Sequence, residues 1–327
     1  TPRARPHVWS AQAMTETAAE PVLSKTHQCR RGYWSSVAHD GRKLGFWFVA
    51  PAMLLLIFIV VFPLAMQLYL SLTWWTPLDG VRWYRAYESF NIGDNYLRLL
   101  TDGALWAALG RTVLLMFIAV PAQFLLGLGL AYLFMEQFVG RKLFYSIILT
   151  PMMIVPAVVG LIFFLLFQGT GPVNDTFGLP ISFSWLTDVH RAMLSVIIAD
   201  TWQWTPLMFL ILLAGMLGVP SDQLTAGRLL GASNWQNFRK IILPRMKSVI
   251  VIALVLRTVE CFKIFDIIFV MTKGGPGVET ETISLFLYKK TFADLDWSYV
   301  AAIGLTILFS LSLIAARGIS YAAKKKG

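Results

Sequence analysis

Six long apolar runs order this chain: Phe46–Thr73, Leu105–Phe134, Leu143–Phe167, Ala192–Leu217, Val249–Met271 and Val300–Ile319. Each holds roughly 20 or more largely apolar residues, the length a helix needs to cross a hydrocarbon core of ~30 Å. The pattern therefore predicts an all-α integral membrane protein with six transmembrane helices, its transmembrane domain covering residues 46–319. Residues 320–327 form a short basic C-terminus. The first 45 residues are polar, rich in Pro, Ala and Thr, and without period, which predicts a largely disordered tail. No short apolar stretch precedes a small-residue cleavage site there, so the tail is not expected to be a cleavable signal peptide. Met14 offers an alternative start that would leave residues 1–13 outside the natural chain. Tyr33, Trp34 and Val37, beside Arg30, Arg31, Arg42 and Lys43, suit an inner headgroup surface.

One polar segment between two apolar runs is itself patterned as structure. In residues 220–244, Ser221 stands where an N-cap belongs, Leu224, Leu229 and Leu230 give an apolar face, and Gly231 marks the end of a first short helix. Ser233 opens a second, with Gln236 three residues on as in a capping box, and Pro244 is expected to close it. A bent pair of amphipathic helices at a membrane surface is suited to docking a soluble partner. Phe238, Trp235 and Leu229 have no evident membrane to enter, and burial in a partner's groove would explain them.

Composition sharpens the class. Of 327 residues, 57% are hydrophobic and 14% charged, with mean hydropathy +0.63, more apolar surface than a soluble domain can hide. Of the 28 lysines and arginines, 18 fall in the segments on the side of the termini and of residues 220–244. Eight fall in the opposite loops, and Arg257 and Lys263 lie within a span. That bias places both termini and the 220–244 loop in the cytoplasm. The net charge of +10 is then membrane topology, and no folded soluble module carries a basic face for nucleic acid. Cys29 and Cys261 fall in different compartments, and no metal-ligand spacing exists. All four histidines lie outside the spans. No nucleophile-elbow, HExxH or phosphate-loop motif is present, so no cofactor is expected in this chain. Energy for uphill transport would have to come from another subunit.

Three constellations carry candidate chemistry. Arg257, Glu260, Lys263 and Asp266 recur every three residues in the fifth span, where opposite charges at i+3 can pair along the helix. Such groups either hold the helix against its neighbours or mark a pathway, and Arg257 can alternatively snorkel to the cytoplasmic side. In the fourth span, Asp200, Trp202, Gln203, Trp204 and Thr205 are residue types that recognise sugars, with Pro206 placed to open the helix. An interfacial aromatic belt explains the same residues. Lys273, Gly274, Gly275, Pro276 and Gly277 make a tight turn between the fifth and sixth spans.

Taken in order, these motifs resemble a known family. Gly231, nine residues, then Ile241-Ile242-Leu243-Pro244, preceded by Thr225-Ala226-Gly227, is similar to the EAA loop of bacterial ABC importer permeases, in particular the maltose/glycerol-phosphate type. Asn95-Tyr96-Leu97-Arg98, Trp185-Leu186, Asp200 to Pro206, Ala214-Gly215, Val219-Pro220, Phe265-Asp266, Met271 to Gly277 and Thr280-Glu281-Thr282 extend the resemblance over about residues 45–320.

The resemblance implies a type I ABC importer permease architecture in the bacterial inner membrane. It also implies a second homologous permease subunit, two ABC ATPase subunits holding Mg-ATP, and an extracytoplasmic substrate-binding protein. It further implies ATPase coupling through Thr225, Ala226, Gly227, Gly231, Trp235, Phe238, Ile241, Leu243 and Pro244. Lys273, Gly274, Gly275 and Pro276 would meet the binding protein. Asp200, Trp202, Gln203, Trp204, Glu260, Lys263 and Asp266 are the candidates for the substrate pathway. The family's Glu, Ala and Asp are here Thr225, Gly227 and Leu230, which shifts the expected joint from acidic contacts to shape and apolar burial. The cargo expected is a sugar or polyol. A phosphorylated polyol met by Lys263 or Arg257, and proton-coupled transport through Asp200 or Asp266, are the alternatives.

Overall fold

A computed structural model describes the backbone of residues 20–324 and the side chains of residues 46–317 and 320. The expectations for residues 1–19, and the headgroup-surface expectation for the side chains of Tyr33, Trp34 and Val37, lie outside the described residues. The chain is helical from Glu20: α1 (Glu20–Ser71) runs without a break from the stretch expected to be tail into the first apolar run. Its portion Phe46–Met66 is, by itself, a single helix whose apolar side chains are exposed almost throughout, as suits a span surrounded by lipid.

From Gln67 onward the remaining unit is built of helices and turns, with no strand among the described residues beyond an isolated bridge between Thr73 and Phe90. In order these are α2 (Asp94–Thr101), α3 (Gly103–Leu133), α4 (Arg141–Met153), α5 (Pro156–Leu166), α6 (Pro172–Phe177) and α7 (Val189–Leu217). Then follow α8 (Ser221–Leu229), α9 (Asn234–Asn237), a π-turn (Phe238–Ile242), α10 (Leu243–Arg245) and α11 (Lys247–Phe262). The last three are α12 (Asp266–Met271), α13 (Ile283–Phe292) and α14 (Trp297–Lys324).

Four of the six expected spans are continuous helices long and apolar enough to cross a membrane: Phe46–Ser71, Gly103–Leu133, Val189–Leu217 and Trp297–Arg317. The other two are broken. Within the third, α4 and α5 meet at 98°, so the run expected as one helix is a bent pair. Pro156 explains the break: it opens α5, and the residues before it, Ile154 and Val155, are extended (ψ 136° and 134°). Within the fifth, α11 has 16 residues, a length of about 24 Å and short of a full crossing. The chain turns at Lys263–Phe265 before the six residues of α12. The expected ladder of four charges on one continuous helix is therefore cut after Glu260.

The second pieces of the two broken spans, α5 and α12, pack on one another. A Cβ placed on Gly160 of α5 would lie 3.1 Å from Val270 Cβ and 3.2 Å from Ile267 Cα, so α12 approaches through the missing side chain. The long pair α3 and α7 uses the same device at Gly127, beside the backbone of Met208–Phe209. Buried Leu115, Ala119, Val159, Val196, Ala199, Ile267 and Ile268 fill one core, and Phe134, Phe209, Leu212, Met216 and Phe238 fill another at the end of α7 that leads into α8.

Candidate coupling segment and membrane pathway

Between α7 and α11 the chain makes the bent helix pair that the polar pattern predicted. The cap of α8 falls one residue earlier than expected: Pro220 is the N-cap, Ser221 is the first helical residue, and its hydroxyl turns to Asp222. Gly231 ends the first arm with φ +82°, where Gly231 N–H donates to Arg228 and Ala232 N–H to Gly227. The capping box forms as read: Gln236 N–H donates to Ser233 Oγ at 3.2 Å, and Ser233 N–H to Gln236 Oε1 at 2.8 Å. Pro244 does not close the second arm, contrary to expectation. It lies in the first turn of α10, and α9, the π-turn and α10 lead directly into α11. A proline has no N–H for the helix ladder, and the wider π-turn just ahead of it, with Leu243 N–H reaching Phe238 C=O, accommodates that loss.

The apolar residues of this segment divide into two groups. Phe238 is 5% exposed, its ring 4.8 Å from Tyr132 and 5.3 Å from a stacked Trp235. Its groove is supplied by the chain's own α3 and α7, which corrects the expectation of a partner's groove. Leu224, Ile241 and Leu243 pack partly against the same core. Leu229 and Leu230 do not share that face. They are 84% and 89% exposed, and Trp235 is 58% exposed at its other side. Thr225, Ala226 and Pro244 are exposed and Gly227 is half-buried. Beneath α8, a cavity of about 270 Å³ is lined by Tyr132, Glu136, Leu224, Arg228, Asn234 and Asn237, with Asn234 Nδ2 donating to Glu136 at 3.2 Å. Asn237, which sequence reasoning did not single out, is buried and donates to Leu224 C=O across the bend at 3.2 Å.

The intramembrane charges pair differently from the i+3 scheme. Arg257 and Asp200 are each 1% exposed and face one another across α11 and α7 at 2.5 Å. Gln123 of α3 completes the group: Arg257 Nε donates to Gln123 Oε1 at 2.6 Å, and Gln123 Nε2 donates to Asp200 Oδ2 at 2.8 Å. Trp204 lies with its ring centre 5.3 Å from the guanidinium carbon. Arg257 therefore neither pairs with Glu260 nor snorkels to the surface. Removing one member of such a buried pair leaves an uncompensated charge at a cost of about 3–5 kcal/mol. Gln123 was missed by sequence reasoning, although it is the one amide in the apolar run of α3.

Of the expected sugar-binding set, Asp200 and Gln203 are thus committed inside the protein. Gln203 donates to Ile154 C=O at 2.9 Å and so binds a carbonyl freed by the α4–α5 break. Pro206 does not open the helix, since α7 is continuous from Val189 to Leu217. Trp202 presents surface, resting edge-on against Phe163 at 5.5 Å. At the α11–α12 break, Glu260 and Lys263 form the expected i+3 ion pair at 2.8 Å, both exposed, and Asp266 is exposed at the start of α12. Trp202, Glu260, Lys263 and Asp266 remain as accessible polar or aromatic surface on the broken side.

The turn expected at residues 273–277 is present. Lys273, Gly274 and Gly277 have positive φ (53°, 91° and 59°), and the Gly275–Pro276 peptide is cis. Thr280 Oγ1 closes the loop by donating to Gly275 C=O at 2.8 Å. Gly274 is tucked against Leu285, whereas Lys273 is exposed and Gly275 and Pro276 are half-buried. Beneath it Glu281 receives Lys289, and its carbonyl accepts from Arg111 at 2.9 Å. Arg111, counted with the loops by sequence, belongs to α3. Asp188 caps α7 on the same side: the Arg191 guanidinium, then the Arg191 and His190 amides, hold its carboxyl below the usual range. Asp102 caps α3, where burial works to raise its carboxyl, but the Tyr299 hydroxyl and the Leu105 and Ala104 amides together lower it.

With this geometry in place, comparison with known proteins is informative. Residues 123–325 match the family described as binding-protein-dependent transport system inner membrane component. A probable ABC transporter permease protein, y4oQ of Sinorhizobium fredii, is 36% identical over 276 residues, 82% of this chain and 87% of that protein. The trehalose transport system permease protein SugA of Mycobacterium tuberculosis is 34% identical over 278 residues, 84% of this chain and 87% of that protein. The fold is shared with a crystal structure of a bacterial ABC transporter involved in import of the acidic polysaccharide alginate, at TM-score 0.75 and 17% identity, covering 89% of this chain and 98% of that one. The chain is a multi-pass membrane protein of the binding-protein-dependent transport system inner membrane component family, an ABC transporter permease.

Proposed function

We propose that this chain is the transmembrane subunit of an ATP-driven importer that carries a sugar or polyol into the cytoplasm by alternating access. The observation that carries this reading is the segment 221–245. Its second arm opens with a capping box, it continues into α11, Phe238 closes its inner side, and yet Leu229 and Leu230 are exposed. Two such leucines on a polar, basic loop are suited to a partner's apolar groove. The partner is an ABC ATPase subunit, present twice, which holds Mg-ATP and moves the segment. A second homologous permease completes the pathway, and a binding protein delivers cargo near Lys273–Pro276.

The termini and coupling segment lie in the cytoplasm, and the membrane is the bacterial inner membrane. A carbohydrate cargo is supported by the trehalose system of which one relative is a part and by Trp202, an exposed aromatic face at membrane depth. A phosphorylated cargo is less well supported, because Arg257 is committed to Asp200 and Lys263 to Glu260.

The test is uptake into vesicles holding the complete transporter. Accumulation should need internal ATP, loaded binding protein and the ATPase subunits, and should survive collapse of the proton gradient. Uptake that persists without the ATPase and follows the proton gradient would sink this reading.

A further inference from the structure

The Asp200–Arg257–Gln123 group lies in no exposed pathway, and an apolar core would have been the cheaper way to stabilise three helices. Its placement suggests another role. Asp200 is on α7, the helix that leads into the coupling segment, and Arg257 is on α11, the helix that leads out of it. Gln123 ties both to α3, which itself packs closely on α7 through Gly127.

We propose that Asp200, Arg257 and Gln123 are positioning residues of transport: they fix the register of α7 on α11, so that the coupling segment and both its arms move as one body. The reading rests on the importer function above and deepens it. Apolar side chains tolerate sliding, whereas directional bonds between charges do not. Sliding α11 by one residue moves Arg257 by about 1.5 Å and turns it by about 100°, which breaks all its bonds at membrane depth. Motion then has to be absorbed where the helices are already interrupted, at Lys263–Phe265 and at Ile154–Val155. Trp204 over the guanidinium closes the remaining open face.

The experiment uses the complete transporter in vesicles and compares Arg257→Gln with the double variant Asp200→Asn, Arg257→Gln. Neutralising both partners removes the buried charge, so a merely structural role predicts recovery of folding and of transport together. The proposal expects recovery of thermal stability and of ATP hydrolysis stimulated by loaded binding protein. The number of cargo molecules moved per ATP should stay roughly tenfold or more below the unaltered complex, which corresponds to about 1.4 kcal/mol of lost coupling. A double variant that transports at the normal ratio would overturn it.

A second measurement needs no change in the clamp. Spin labels at exposed Leu217 and Ile252 should keep their separation between the nucleotide-free and ATP-trapped complexes, and a change of about one helical turn, ~5 Å, would overturn the proposal. Absence of ATP-dependent uptake in the unaltered complex would instead count against the importer reading, and leaves the label distances to decide the clamp.

Discussion

The side-chain oxygen of Asn237 occupies the space that a Cβ on Gly227 would need, so the two arms of the 221–245 segment meet through a residue without a side chain. Ile241 Cδ1, 3.1 Å from the same position, closes the other flank. Gly227→Ala is therefore expected to destabilise the chain by about 1–3 kcal/mol through overpacking. Adding Asn237→Ala should recover part of that loss, because it clears the space while giving up the bond to Leu224. Thermal unfolding of the purified protein checks both. A single variant as stable as the unaltered chain would show that the contact is soft.

At Gly231 the constraint is the backbone alone, since nothing lies within 4 Å of a Cβ there. With φ at +82°, Gly231→Val should cost about 1–2 kcal/mol of local strain and misaim α8. Coupled uptake should fall while the amount of protein inserted in the membrane is unchanged. Normal uptake would mean that the bend angle is not read by the partner.

Leu229 and Leu230 separate docking from folding. Leu229→Ser with Leu230→Ser should leave the unfolding midpoint unchanged and weaken capture of the ATPase subunits by roughly tenfold or more. Phe238→Ala should do the reverse at first, losing about 3–5 kcal/mol of stability from a filled core. Equal ATPase capture by the leucine variant would remove these two residues from the joint.

The cap at Asp188 gives a pH dependence of definite sign. Its carboxyl titrates below the ordinary range in the folded chain, so the stabilisation is fully present above the unfolded value and is lost as pH falls through the folded one. The unfolding midpoint of the unaltered chain should be insensitive to this group from neutral pH down to about pH 5. Asp188→Asn should be less stable over that range, and the gap should close in stronger acid. A gap that stays constant into strong acid would show that the charge contributes nothing there.

How much of this was legible in the sequence depended on the range of the interaction. The Ser233–Gln236 capping box and the turn at Gly231 were read correctly because each is decided within about four residues. The continuous spans followed from apolar length alone. The breaks did not, although their causes are local. Pro156 ends a ladder inside an apolar run, and Lys263 sits where α11 stops, but hydropathy averages over both. The i+3 scheme for Arg257 and Glu260 failed for the opposite reason. It considered neighbours along one helix, whereas the acid that meets Arg257 is 57 residues away.

The sequence by itself determined the membrane class, the apolar spans and the capped bend between α7 and α11. These rest on composition, length and short-range hydrogen bonding, which a linear pattern contains. Only the tertiary structure decided which groups are spent inside the protein and which remain available. Phe238 turned inward and Leu230 outward although both are apolar, and Asp200 was taken by Arg257 while Asp266 stayed exposed. In a bilayer the cost of an unpaired polar group is met by whichever helix lies alongside, and that neighbour is set by packing in three dimensions.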